Sequence, residues 1–168
     1  MIVKAVTSCL PETPAPGPQR SSCEPLLALK SPVNRFSYDY WKQKRGSRLM
    51  PGRGDIDPAE IAKILPHVFL LDVRHDPLDF RYRLIGTKMD EHMLGRYTGM
   101  WMSQIPHQAA PSRIWANCRQ VALQAKPLCG DTPYIGKGKE FLNTEDLLMP
   151  LSDDGRRVQM LFVTVGFV

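Results

Sequence analysis

From Phe80 to Leu84 the chain alternates one apolar residue with one arginine: Phe80, Tyr82 and Leu84 against Arg81 and Arg83. A period of two predicts a strand with one buried and one wet face. His67 to Arg74 (HVFLLDVR) is apolar on both faces until Asp72 and predicts a partner strand. His75-Asp76-Pro77-Leu78-Asp79 lies between them as a turn, so the two read as a hairpin. The period is helical elsewhere. Ser31-Pro32 suits an N-cap and first turn for a helix through Phe36, Tyr40 and Trp41, stopped at Gly46. Asp57-Pro58-Ala59-Glu60 predicts a second, short helix ended by Pro66, with Ile61, Ile64 and Leu65 on its apolar side. Residues 107–126 predict the longest helix, with Pro111-Ser112 at its start. Its stripe is Ile114, Cys118, Val121 and Ala125. Three more strands are expected: 127–135, 141–151 and 156–168. They are joined by Gly136-Lys137-Gly138-Lys139 and by Ser152-Asp153-Asp154-Gly155, where Gly155 can take the positive φ of a hairpin turn.

Two strands, a helical crossing and three hairpin-linked strands make an α+β domain on a five-stranded antiparallel sheet. We divide the chain into a flexible Pro-rich segment (1–31), a helical extension (32–66) and a core (67–168). The first segment holds Pro11, Pro14, Pro16, Pro18 and Pro25 and too little apolar surface to repay ordering. Leu26, Leu27 and Leu29 are the residues there that can dock locally.

Composition narrows the function classes. The chain has 168 residues, 43% hydrophobic and 23% charged, with no apolar run near the ~20 residues of a membrane helix. The N-terminus lacks the continuous apolar stretch of a secretory signal, so a cytoplasmic protein is expected. Cys9, Cys23, Cys118 and Cys129 are irregularly spaced and read as reduced thiols, neither a disulfide framework nor a metal site. The net charge of +5 is concentrated in one window, where Arg35, Lys42, Lys44, Arg45, Arg48 and Arg53 face Asp39 alone. Such a patch can attract an acidic partner. No nucleic-acid motif accompanies it, so nucleic acid is not an expected partner.

Candidate chemistry is sparse. Asp55 and Asp57 fit a turn and a cap, and Glu145-Asp146 lies in a strand with its two acids on alternate faces. No Ser-His-Asp or Cys-His grouping can be assembled. Gly136-Lys137-Gly138-Lys139 has no helix after it to complete a phosphate cradle, and reads as a hairpin turn.

Five segments in order carry a family resemblance: Tyr40-Trp41-Lys42-Gln43-Lys44-Arg45-Gly46; Pro51 to Pro58 (PGRGDIDP) with Leu65-Pro66; Leu71-Asp72-Val73; Phe80 to Thr87 (FRYRLIGT); and Leu94-Gly95-Arg96-Tyr97-Thr98-Gly99. Over about residues 34–168 the chain resembles a PAS domain, and in particular a PAS subfamily abundant in alphaproteobacteria. The resemblance implies a PAS fold, with helices on one face of the sheet and an N-terminal helix before it. It also implies a bacterial sensory or regulatory module without catalysis, binding a small molecule or a protein and signalling in trans. No catalytic or DNA-binding domain follows the last strand in this sequence, which is why output through a partner is expected. A homodimer formed by the N-terminal helix is also expected. The alternative is a ligand-free adaptor that docks through the basic helix by Tyr40, Trp41, Lys44, Arg45 and Arg48.

In such a fold the space between sheet and helices is either core or pocket. Leu84, Trp101, Met149 and Met160 are apolar candidates for it. Residues with a polar handle are the ligand-binding candidates: Tyr82, Thr87, His92, Tyr97, Trp115 and Tyr134. Asn117-Cys118-Arg119 resembles the photoactive tripeptide of flavin-binding relatives. Here Gly95-Arg96 is followed by Tyr97-Thr98-Gly99, and Cys118 falls on the apolar stripe, so it reads as a small buried hydrophobe. The long helix has no histidine for haem. No metal or cofactor is assigned.

Overall fold

A computed structural model describes residues 28–130, 132 and 143–168. Helix α1 (Pro32–Arg45) starts at Ser31, whose hydroxyl accepts from Asn34 N. It ends at Gly46, whose φ of 58° permits the turn that sends its N–H to Lys42 O. Strands β1 (Val68–His75) and β2 (Leu78–Ile85) form the expected hairpin. Helices α2 (Thr87–His92) and α3 (Arg113–Gln124) lie between that hairpin and β3 (Leu128–Gly130), β4 (Thr144–Leu151) and β5 (Met160–Phe167). The sheet is antiparallel, in spatial order β2-β1-β5-β4-β3. The last strand therefore sits at the centre beside the first.

The two faces of the sheet have different covers. Helix α3 packs on one face, which carries Tyr82, Phe69, Leu71, Asp146, Leu148, Val163 and Val165. Helix α1 packs on β4 and β5 from the other side. There Glu145 accepts from Lys30 N (2.7 Å), Ser31 N (3.0 Å) and Asn34 Nδ2 (3.0 Å). Asn34 also accepts from the Thr164 hydroxyl at 2.8 Å. Trp41, fully buried, donates from Nε1 to Pro150 O at 2.9 Å. Burial of Trp41 and Tyr40 joins α1 to the same hydrophobic cluster as the sheet.

Several sequence expectations are corrected. Residues 58–64 form consecutive turns in place of a helix. Asp57 does cap Ala59 N (2.8 Å), yet the span between Pro58 and Pro66 is too short to repay helix nucleation. Burial of Ile61 and Ile64 holds it instead. The predicted helix 107–126 shortens to α3, because Ser112 is the cap, accepting from Trp115 N at 3.2 Å. Helix α1, with 14 residues, is the longest helix among the described residues. Within the strand predicted over 127–135, Leu128–Gly130 is β3 and residues 131 and 133–135 lie outside the described residues; β4 and β5 begin at Thr144 and Met160. Leu84 is not on the buried face. A register shift opposite Leu70 and Leu71 leaves Arg83 as an extra residue, and Leu84 emerges 39% exposed. Residues 1–27, the Gly136–Lys139 turn and the start of the strand predicted from 141 lie outside the described residues. Of the three leucines proposed to dock, Leu29 packs against the core, and Leu26 and Leu27 lie outside that range.

One glycine is dictated by close approach. Gly86 ends β2 where the backbone of Leu65 and Pro66 crosses it, and a Cβ there would collide with both carbonyl oxygens. That crossing sets the exit into α2.

Candidate functional site

A cavity of about 380 Å³ opens between the sheet and its helical cover. Its floor is Phe69 of β1, Tyr82 of β2, Thr144 and Asp146 of β4, and Val165 and Phe167 of β5. Met89, His92 and Met93 close it from the α2 side. His107, Gln108, Ser112, Arg113 and Ile114 close it from the approach to α3, and Thr132 stands beyond β3. The volume lies at the small end of the range for small-molecule sites. A narrow extension of about 30 Å³ shares Asp146, Tyr82 and Ile114 and runs inward to Cys118 and Leu148.

The walls are mostly apolar, and the polar groups are few and fixed. The Tyr82 hydroxyl donates to Gln108 Oε1 at 2.7 Å, both residues being buried. Burial pushes the Tyr82 phenol well up, helped by the charges of neighbouring groups, so it stays a neutral donor. Tyr97 packs behind it, with ring centroids 6.4 Å from Tyr82 and 5.9 Å from His107. Burial, and then the negative charge of Asp146, push the Cys118 thiol up as well. A fully buried thiol held protonated is a poor nucleophile. Asn117 Nδ2 donates to Thr132 Oγ1 at 3.2 Å and rests over Gly130, whose missing Cβ makes room for it. This tie holds the cavity wall to α3. His92 Nδ1 bonds Lys88 O at 2.7 Å, and its ring lies 5.4 Å from that of Phe167.

Two of the six ligand-binding candidates, Tyr82 and His92, line the cavity. Tyr97 forms a layer behind Tyr82. Thr87 is exposed on the first turn of α2. Trp115 is half-buried and meets Phe80 edge-on at 6.2 Å, away from the cavity. Tyr134 lies outside the described residues. Trp101 sits at the β2 edge with Arg74 (4.3 Å) and Arg81 (5.4 Å) over its ring, and Met149 and Met160 are core residues.

The docking candidates are largely turned inward. Tyr40 and Trp41 are buried, so neither can form an exposed docking face. Lys44 pairs with Glu60 at 2.6 Å, Arg48 with Asp55 at 2.9 Å, and the Arg45 guanidinium lies 5.4 Å from the Trp41 ring. The basic window is thus stitched to acids and aromatics of its own chain. Sequence reasoning missed Asp146, Gln108, Arg113 and Thr132 as cavity residues. The available signal was Glu145-Asp146 in a strand, since alternate faces put one of the two acids toward the helical cover.

Among the described residues no three His, Cys, Asp or Glu side chains cluster to hold a metal ion. No helix among them is long and apolar enough to cross a membrane. An antiparallel sheet in this order, with short helices roofing a ligand-sized cavity, defines a small mixed α+β domain built around an interior site. A family model described as PAS domain matches residues 29–164, and the chain belongs to that family. Membership supports a sensory or regulatory role in general. No curated protein and no solved structure matches the chain.

Proposed function

We propose that the protein is a sensory PAS module that binds a small molecule in the 380 Å³ cavity and signals to a protein partner without catalysis of its own. The cavity carries this reading: a filled core would have left no such space beside the Tyr82–Gln108 pair. The route to output is strand β4. Asp146 faces the cavity while Glu145, its neighbour, anchors α1 from the opposite face. A ligand that moves β4 therefore biases the seating of α1. The ordered motif set supports a bacterial, alphaproteobacterial affiliation, and with it a cytoplasmic protein. A homodimer through the exposed positions of α1, such as Arg35, Asp39 and Lys42, belongs to the same reading.

Native mass spectrometry of gently purified protein tests it. A bound small mass that is absent from an Ile114→Trp variant, which fills the cavity, is the expected result, and the same spectra report the dimer. A clean unliganded mass favours the adaptor reading and overturns the sensor.

A further inference from the structure

The charged and titratable side chains that line the cavity sit at different depths. Asp146 is 6% exposed and stands where the main cavity meets its narrow extension. On the sheet it lies between Gly130 of β3 and Val165 of β5, neither of which offers a polar side chain. Burial raises both the Tyr82 phenol and the Cys118 thiol, and the charge of Asp146 across the floor adds to each. The basic side chains among the lining residues lie farther out: Arg113 is exposed, and His92 and His107 are half-buried. Asp146 keeps contacts within the chain, but a carboxylate has about four lone-pair sites, and one that lines a cavity can accept from a guest as well. An acidic guest would add a second negative charge to the same low-dielectric space.

Resting on the cavity reading above, we propose that the ligand is a small amine with an apolar or aromatic body. Its N–H donors meet Asp146, and its body lies against Phe69, Ile114 and Phe167. The Gln108 amide, fixed by Tyr82, borders the same space and bonds a polar substituent on that body.

Three probes that share one ring test this: tryptamine, neutral indole and indole-3-propionate, titrated calorimetrically at pH 7 into the full chain. Tryptamine is expected to bind about tenfold or more tighter than indole-3-propionate, and Asp146→Asn to reduce it to the affinity of indole. Circular dichroism checks that the variant folds; where it does not, the ranking on the unaltered chain decides by itself. Equal or reversed ranking, or a folded Asp146→Asn chain that binds tryptamine undiminished, overturns the amine assignment. The cavity reading survives that result if indole still binds and Ile114→Trp abolishes it. No binding of any probe at millimolar concentration overturns both.

Discussion

Replacing Glu145 by Gln is expected to loosen α1 from the sheet while leaving the cavity floor in place. The carboxylate takes three donors, Lys30 N at 2.7 Å, Ser31 N at 3.0 Å and Asn34 Nδ2 at 3.0 Å, in a site where Glu145 is 7% exposed. Hydrogen bonds to a charged acceptor contribute about 1.5–3 kcal/mol each, and they do not add fully when they share one acceptor. Glutamine keeps one oxygen but turns an NH₂ toward the remaining donors. We therefore expect a loss of about 2–3 kcal/mol, with Glu145→Ala costing about 3–4 kcal/mol. For a chain of this length that corresponds to a fall in Tm of about 4–12 °C for Glu145→Gln. Hydrogen exchange should rise in the α1 amides before those of β1 and β5. Acid gives an independent check. Burial works to raise the Glu145 carboxyl, but the two backbone N–H groups and Asn34 together hold it below its ordinary value of 4.5. A carboxyl lowered on folding contributes stability that is complete above the unfolded value and lost as pH falls through the folded one. The Tm gap between the unaltered chain and Glu145→Gln should therefore be full at pH 7 and narrow as pH falls below 4.5. A variant melting within about 1 °C of the unaltered chain at pH 7, or a gap that widens in acid, refutes the anchoring argument.

Two other outcomes follow from packing. Gly86→Ala forces a methyl into the Leu65 and Pro66 carbonyls and should destabilise the fold by about 1–3 kcal/mol, read as a lower denaturant midpoint at unchanged slope. Cys118 should resist a thiol reagent at pH 8 until the chain unfolds, because it is fully buried and its thiol is pushed up; labelling of native Cys118 within minutes would contradict this.

Much of this protein was legible without coordinates because its signals are local. The alternation at Phe80–Arg83, the Ser31 and Ser112 caps, the Gly46 stop and the Gly155 turn each depend on a few neighbouring residues. In sequence they give the order of the elements and the two hairpins, and the antiparallel α+β class follows from that order. A period of two says that a strand has two faces; it does not say what covers each. Only the tertiary structure decided that α1 takes the Glu145 face and α3 the Asp146 face, so that adjacent acids in one strand serve an anchor and a cavity. The same limit hid the burial of Tyr40 and Trp41, which were candidates for docking through the basic helix. It also hid the exposure of Leu84, because one extra residue in β2 reverses the side to which every later side chain points. Side-chain direction, and whether a neighbouring element has room to fill the space it points into, are properties of the whole packing and are not written in any window of the chain.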